Sequence, residues 1–239
     1  MKAMILAAGR GERMRPLTDN CPKPLLQVRG RPLIVWHILN LVRAGIVEIV
    51  INHAHLGALI ESSLGDGSQF GAQIHYSREG TALETAGGIA NALPLLGDEP
   101  FVVVNGDIWC PHFDFEQVKT ALVDADMWGN PYPEQQRDIG WLYLVNNPPH
   151  VPDGDFGLTT FSINNDGMPK FTFSGIAVYR PAMFADIVPG APAKLAPILR
   201  AHAARGQLGG DLFRGEWVDV GTPERLALLN RPLSERSRA

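Results

Sequence analysis

Residues 3–18 read AMILAAGRGERMRPLT, and this stretch governs how the rest of the chain is interpreted. The apolar run Ala3–Leu6 predicts a buried first strand, and the glycine-rich segment Ala7–Gly11 predicts a turn that leaves it. Because glycine has no Cβ, backbone N–H groups in such a turn can approach an anion closely. Arg13 and Arg15 add planar cationic donors beside the turn. The stretch therefore predicts a phosphate-binding loop at the end of the first strand of a sheet.

The loop matches neither of two common phosphate-binding motifs. The dinucleotide fingerprint needs a third glycine three residues after Gly11, where this chain has Met14. The P-loop needs Gly-Lys-Ser/Thr, which is absent. Both absences disfavour these classes, including a dinucleotide-dependent oxidoreductase.

A lysine held between two prolines follows the loop. Pro22 and Pro24 restrict the backbone on either side of Lys23. A lysine on a rigid segment suits a point charge aimed at phosphate. Any one of these cations alone could be an ordinary surface charge, but their concentration in one short segment favours a triphosphate site.

The composition bounds the class of protein. The chain has 239 residues, 45% of them hydrophobic, and a formal net charge of -4, which argues against general nucleic-acid binding. Cys21 and Cys110 form neither a disulfide framework nor a zinc pattern, and no segment predicts a membrane span. We expect a cytoplasmic protein, a monomer or small homo-oligomer, that binds small molecules and neither nucleic acid nor membrane.

Apolar runs alternate with helical patterns in the first half, which is typical of βαβ units. The second half has strand patterns joined by polar turns, which indicates antiparallel pairs. Together they predict one three-layer α/β/α domain over residues 1–239 with a mixed, mostly parallel central sheet. The predicted strands are 4–7, 46–51, 73–77, 101–104, 141–145, 157–163, 171–179 and 217–220, the predicted helices are 32–44, 56–64, 85–93, 193–205 and 223–229, and residues 129–137 and 234–239 are predicted as a loop and a frayed end.

Two carboxylates lie at the ends of predicted strands. Asp107, in Asn105-Gly106-Asp107, comes after a continuous apolar strand, and Asp219 precedes a glycine turn into a helix that begins with proline. Ligands of open α/β sheets bind at the carboxyl ends of strands. Although Asn-Gly-Asp alone could be a simple turn, two carboxylates at strand ends can share one divalent cation, and without a His/Cys cluster Mg²⁺ is preferred.

The chain offers no nucleophile–base pair of the hydrolase type. His37, in a predicted helix, and His75, in a predicted strand, are interpreted as structural. The small residues of segment 84–88 could pack against a flat base, or could simply begin a capped helix. A reaction carried by positioning and charge neutralisation, such as phosphoryl transfer, fits this inventory.

Taken in order, these motifs resemble those of the sugar-1-phosphate nucleotidylyltransferases. They are Gly9-x-Gly11-x-Arg13, Pro22–Leu26, Asn105-Gly106-Asp107 and Asp219–Pro223, and they cover essentially the whole chain. The resemblance implies a Rossmann-like nucleotidyltransferase fold and transfer of a nucleotidyl group to a sugar 1-phosphate with Mg²⁺. Within the family, residues 83–89 and 147–156 resemble the group that uses UTP and N-acetylmuramic acid α-1-phosphate in peptidoglycan recycling.

The resemblance also implies a division of labour along the chain, with a nucleotide-binding half at about 1–128 and a sugar-binding half at about 129–239. Arg13, Lys23 and Asp107 are implied to be catalytic, and Asp107 and Asp219 to bind the metal. Where many relatives have Glu-Lys-Pro, this chain has Pro169-Lys170-Phe171. The implied nucleotide-binding residues are Ala8, Gly9, Gly11, Glu12, Arg13, Lys23, Glu79, Glu84, Gly87 and Asn105, and the implied sugar-binding residues are Gly140, Asn147, Asp155, Lys170, Ser174 and Gly175.

Related activities remain as alternatives. Glucose 1-phosphate with UTP or dTTP, and mannose 1-phosphate with GTP, would use the same motifs. A non-catalytic nucleotide-sugar sensor would be expected to have lost Lys23 or one aspartate, and this chain keeps them all.

Overall fold

The computed structural model describes residues 1–122 and 139–231. The predicted loop 129–137, the boundary between the two halves and the predicted frayed end lie outside these residues. The strands are β1 (Ala3–Leu6), β2 (Gln27–Val28), β3 (Arg31–Pro32), β4 (Glu48–His53), β5 (Gln73–Arg78), β6 (Phe101–Asn105), β7 (Ile108–Trp109), β8 (Gly140–Val145), β9 (Phe156–Thr159), β10 (Ser162–Asn164), β11 (Lys170–Tyr179), β12 (Leu208–Leu212) and β13 (Val218–Asp219). The α-helices are α1 (Leu33–Arg43), α2 (Gly57–Leu64), α3 (Glu84–Leu96), α4 (Leu195–Ala204) and α5 (Pro223–Asn230).

A nine-stranded sheet runs through both halves of the chain in the order β5-β4-β1-β6-β11-β8-β12-β10-β9. The strands β5, β4, β1 and β6 are parallel, with Met4 opposite both Val50 and Val103. In the second half β11 runs antiparallel to β6 and β8, whereas β12 runs parallel to β8. The predicted mixed α/β sheet is confirmed, with its parallel strands meeting at one carboxyl edge.

Helices cover both faces of this sheet. Alternate residues of each strand point to opposite faces, so Ile5 and Met4 belong to two separate buried clusters. The cluster around Ile5 includes residues of α1 and α2, and the cluster around Met4 includes residues of α3 and α4. This arrangement is the predicted three-layer architecture.

A third apolar cluster lies beside the sheet and supports the glycine-rich loop. It joins Met14 of the loop to Val28 of β2, Trp109 of β7, Val220 and Leu226 of α5. Residues that are far apart in the chain therefore pack together next to the loop that follows β1.

The structure departs from the predicted strands in the second half. The prediction of a single strand over 157–163 is wrong. This segment forms the β9–β10 hairpin, in which Thr160 turns the chain with φ of 55°. Strand β12 was not predicted, because its centre is Gly209-Gly210 and glycine is uncommon inside strands. A Cβ on Gly210 would lie 2.5 Å from the carbonyl oxygen of Leu142, so close strand packing requires this glycine.

None of the helices in the described ranges is long and apolar enough to cross a membrane.

Candidate active site

The glycine-rich loop leaves β1 and is held by bonds to neighbouring segments. The Ala7 N–H donates to Oδ1 of Asn52 at 2.9 Å, and the Thr18 hydroxyl donates to the Gly11 carbonyl at 2.9 Å. Gly11 has φ of 68°, and a Cβ there would lie 3.0 Å from Thr18. A Cβ on Gly9, by contrast, would meet no protein atom within 4 Å. The loop is therefore fixed at Gly11 and open at Gly9.

Two cavities meet at this loop. The larger, of about 350 Å³, is lined by residues that include Ala8, Gly9, Asn105 and Glu84. The smaller, of about 230 Å³, follows the loop and is lined by Glu12 and Arg13. Gly9, Lys23 and Asp107 line both cavities. This arrangement is consistent with the prediction that Gly9, Lys23 and Asp107 lie close together. Arg15 lines neither cavity and pairs with Asp19 at 2.6 Å.

Lys23 and Asp107 form an ion pair where the cavities meet. Lys23 Nζ lies 2.6 Å from Asp107 Oδ2, and the lysine side chain is only 9% exposed. The lysine begins a short 3₁₀ turn, Lys23–Leu25, directly after Pro22. A rigid, nearly buried ammonium is thus presented to the cavities next to a carboxylate.

The two predicted metal carboxylates lie at a pair of adjacent strands, with Asp107 directly before β7 and Asp219 at the end of β13. Strand β7 pairs with β13 so that Ile108 faces Asp219, and the Val220 N–H donates to the Asp107 carbonyl at 2.9 Å. Asp219 Oδ2 accepts from Arg225 Nη1 at 2.6 Å. The pairing of β7 with β13 explains how residues more than a hundred positions apart come to the same edge.

His150 completes a small cluster around Asp219. Its Nε2 lies 2.8 Å from Arg225 Nη1 and 3.4 Å from Asp219 Oδ2. Arg225 Nη1 thus lies within hydrogen-bond distance of both His150 Nε2 and the Asp219 carboxylate. Each aspartate therefore faces a cation, Lys23 for Asp107 and Arg225 for Asp219.

The start of α3 also lines the larger cavity. Glu84 and Thr85 line it, together with Asn52. Glu79 lies behind this wall, where its oxygens accept from Asn52 Nδ2 at 2.7 Å and from the Leu83 N–H at 2.9 Å.

Comparison with known proteins places the chain in a family. A family model for nucleotidyl transferases matches residues 2–127. N-acetylmuramate alpha-1-phosphate uridylyltransferase of Neisseria meningitidis serogroup B is 54% identical over 95% of each chain. The chain belongs to the nucleotidyl transferase family. A Caulobacter vibrioides protein with the same name as the Neisseria one is 33% identical, over 98% of this chain and 97% of its own.

The fold of this nucleotidyltransferase is shared with solved structures. The crystal structure of a UDP-glucose pyrophosphorylase complexed with UDP-glucose superposes with a TM-score of 0.72 over 96% of both chains, at 19% identity.

One of the predicted sugar-binding residues, Gly175, lies directly against Asn105, which lines the larger cavity. Gly175 has φ of 84° at an irregularity of β11, and a Cβ there would lie 2.6 Å from Asn105 Nδ2. Ser174 next to it is buried, and its carbonyl accepts from Trp217 Nε1 at 2.9 Å. Because only glycine permits so close an approach, this irregularity brings the second half of the nucleotidyltransferase against the site.

Asn147, Asp155 and Lys170 lie together at the beginning of β11. Asn147 Nδ2 donates to the Lys170 carbonyl at 3.0 Å, and Asp155 Oδ2 accepts from the Phe173 N–H at 2.8 Å. The Asn147 amide also accepts from Thr172 at 3.0 Å, so it is engaged in holding this part of the nucleotidyltransferase together. None of these side chains lines either cavity described above.

Gly140 and Gly87 are placed away from the cavities by packing. Gly140 faces Tyr179, which in turn faces Phe101 at the beginning of β6, so Gly140 lies at the amino edge of the sheet. Its assignment as a sugar-binding residue of the nucleotidyltransferase stays a prediction, with the residue lining neither cavity. Gly87 is buried, and a Cβ on it would lie 2.4 Å from the Ala191 carbonyl oxygen, so this glycine serves packing of α3.

Sequence reasoning missed three polar residues of the site. Asn52 was detectable, because it is a polar residue at the carboxyl end of an otherwise apolar strand. Arg225 lies six positions after Asp219, but no motif marked it as a partner of this carboxylate, and His150 of the distant segment 147–156 meets both through a tertiary contact.

Proposed function

We propose that the chain transfers a uridylyl group from UTP to N-acetylmuramic acid α-1-phosphate, giving the UDP-sugar and pyrophosphate, in the recycling of peptidoglycan. The observation that carries the reaction type is the Lys23–Asp107 pair at the junction of the glycine loop and the larger cavity. The choice of base and sugar is supported by the names of the two relatives described above.

The residues at the junction divide the nucleotide between the two cavities. The triphosphate would follow the loop, with Gly9, Gly11 and Arg13 around it and Lys23 beside the α-phosphate. The nucleoside would occupy the larger cavity between Asn105 and the start of α3. Backbone N–H groups and fixed cations are suited to phosphate, because they offer charge and donors without rearrangement.

The donor set fits a hard divalent cation. Asp107 and Asp219 supply carboxylate oxygens, and the described residues contain no group of three or more His, Cys, Asp or Glu side chains arranged for a metal. Mg²⁺ is commonly held by one or two carboxylates together with substrate phosphates and water. When bound, Mg²⁺ would offset charge on the phosphate oxygens during transfer.

The chemistry needs little from the protein besides placement and charge. An oxygen of the sugar 1-phosphate, already anionic, attacks the α-phosphorus of UTP in line with the leaving group. The new P–O bond forms as the bond between the α- and β-phosphates breaks, and pyrophosphate carries away the negative charge. Lys23 stabilises the negative charge that accumulates on the phosphate oxygens. This lowers the barrier because the charge is greater in the transition state than in bound UTP.

Location and assembly are part of the proposal. Both cysteines, Cys21 and Cys110, are free thiols, which supports a reducing cytoplasm. We propose a monomer or small homo-oligomer whose partners are UTP and the sugar 1-phosphate.

Pyrophosphate release over a grid of nucleoside triphosphates and sugar 1-phosphates with Mg²⁺ tests this function. We expect release with UTP and N-acetylmuramic acid 1-phosphate, and none when the sugar phosphate is omitted. Preference for glucose 1-phosphate, or for GTP with mannose 1-phosphate, would replace the proposed substrates by one of the alternatives.

A further inference from the structure

Arg225 lies in the first turn of α5 with its guanidinium on the carboxylate of Asp219. Helix α5 begins at Pro223, after Thr222, whose hydroxyl accepts from the Arg225 N–H at 3.4 Å. Arg225 Nη1 donates to Asp219 Oδ2 at 2.6 Å. A cation in the first turn opposes the dipole of its own helix, which favours acidic residues there. The charge of Arg225 thus serves its contact with Asp219 rather than the stability of the helix.

This ion pair lies against the smaller cavity. Gly221 lines the cavity together with Lys23 and Asp107. A Cβ on Gly221 would lie 2.8 Å from Asp219 Oδ1 and 2.9 Å from Arg225 Nη2, so both side chains lie directly beside this part of the wall. Because the two side chains are only 21% and 20% exposed, water and salt screen the pair weakly. A cation that Asp219 attracts would therefore also meet the Arg225 guanidinium.

The fixed charges around the smaller cavity balance without a nucleotide. Lys23 neutralises Asp107 at 2.6 Å in the same way as Arg225 neutralises Asp219. A divalent cation that approaches either carboxylate thus also approaches a positive charge, which opposes its binding. Nucleotide phosphates would add the missing negative charge, and Mg²⁺ is commonly held by carboxylates and substrate phosphates together. Among the described residues, the Asp, Glu, Lys and Arg side chains that line this cavity or lie beside Gly221 are Glu12, Asp107, Asp219, Arg13, Lys23 and Arg225.

We propose that Arg225 is the internal counter-ion of Asp219 and keeps a divalent cation from binding firmly before the nucleotide. This inference rests on the proposed function, since it assumes that Asp219 is a metal ligand. Metal and nucleotide then bind together, and each raises the affinity for the other, because coupling between two ligands is reciprocal. A residue that only oriented Asp219 would have the opposite effect, since its loss would weaken metal binding.

Titration of nucleotide-free protein with Mn²⁺ separates these two roles, with the free ion measured by electron paramagnetic resonance. We expect weak binding by the wild type and binding about tenfold tighter or more by Arg225→Met, because a charged hydrogen bond no longer opposes the metal. Arg225→Lys keeps the charge and should bind Mn²⁺ as weakly as the wild type. Arg225→Gln removes the charge but keeps a donor, and gives the same comparison if Arg225→Met does not fold. Arg78→Met is the matched control, because it removes a guanidinium 2.7 Å from Glu61 outside both cavities.

A double variant shows whether the gain arises at this carboxylate. Arg225→Met combined with Asp219→Asn should bind Mn²⁺ as weakly as the wild type. Unchanged or weaker binding by Arg225→Met and Arg225→Gln would overturn the role of Arg225, as would a gain that persists in the double variant.

Equilibrium dialysis of UTP against the wild-type protein tests the underlying metal assignment separately. We expect Mg²⁺ to tighten UTP binding, since the two ligands are coupled. Equal UTP binding with and without Mg²⁺ would overturn the metal site of the proposed function. Tighter UTP binding with Mg²⁺, combined with no effect of the Arg225 variants on Mn²⁺, would overturn the counter-ion alone.

Discussion

Lys23 shows how a single residue links the stability of this protein to its chemistry. The residue is 7% exposed overall, and Asp107 balances its ammonium group at 2.6 Å. A nearly buried charge that loses its partner is costly, because neither water nor a carboxylate then compensates it. The pair is therefore expected to contribute to folding as well as to catalysis.

Substitution of the pair separates these contributions. Asp107→Ala should abolish turnover and reduce the free energy of unfolding by about 2 kcal/mol, because it leaves the lysine charge unpaired. Lys23→Ala should lower kcat by orders of magnitude with a smaller loss of stability, since the aspartate is more exposed. Steady-state kinetics and denaturant unfolding measure both, with Asp98→Ala as an exposed control. Near-normal turnover of Asp107→Ala would contradict the assignment of this carboxylate.

His37 illustrates a residue whose charge is excluded by burial. It lies in α1 at 1% exposure, and burial lowers its pKa from 6.5 to about 4. The imidazole is therefore neutral in the folded protein at neutral pH, in agreement with its interpretation as a structural residue.

This pKa shift predicts a specific loss of stability in acid. Between pH 6.5 and about 4 the unfolded chain binds a proton at His37 that the folded protein does not. The stabilisation is thus complete above pH 6.5 and falls as the pH decreases. The fall in the free energy of unfolding is on the order of 3 kcal/mol, because each pKa unit corresponds to about 1.4 kcal/mol. Denaturant unfolding from pH 7 to 4 should show this fall in the wild type and a smaller one in His37→Leu. Equal pH dependence of the two proteins would show that His37 is not responsible.

Strand β11 is the element that joins the two halves of the site. Its regular pairing with β8 is interrupted between Phe173 and Ile176, and Gly175 turns the backbone there toward Asn105. An irregularity of this kind redirects side chains where a regular strand could not.

Replacement of this glycine should affect the site more than replacement of another glycine with similar φ. Gly175→Ala combines left-handed strain with a Cβ 2.6 Å from Asn105 Nδ2, so it should lower both stability and kcat/KM. Gly206→Ala carries comparable strain at φ of 66° but meets no atom within 4 Å, and should cost about 1 kcal/mol of stability without altering kcat/KM. Equal effects of the two substitutions on kcat/KM would argue against a role for the irregularity.

Across the whole molecule, local patterns predicted the fold best where one strand or helix carries its own signal. The apolar runs of β1, β4 and β6 alternate with helical patterns, and this alternation predicted βαβ units with a parallel sheet. Strand β12 was missed because glycines serve its close packing against β8, and the β9–β10 turn was missed because Thr160 is not a typical residue for positive φ.

The candidate site was predictable to the extent that its residues are close in sequence. The loop, Lys23 and Asp107 belong to recognisable motifs and lie together at the two cavities. The clusters around Asp219 and behind Glu79 depend on contacts between distant segments, as does the approach of Gly175 to Asn105. Since these contacts arise from the packing of whole elements, a single sequence does not reveal them.

A competition for UTP among sugar 1-phosphates in one reaction tests the proposed uridylyl transfer most directly. Equimolar N-acetylmuramic acid, N-acetylglucosamine, glucose and mannose 1-phosphates would be incubated with UTP, Mg²⁺ and the wild-type protein, and the products identified by mass spectrometry. We expect UDP-N-acetylmuramic acid as the dominant product, with one pyrophosphate released for each molecule formed. Dominance of another UDP-sugar, or loss of UTP without any UDP-sugar, would contradict it.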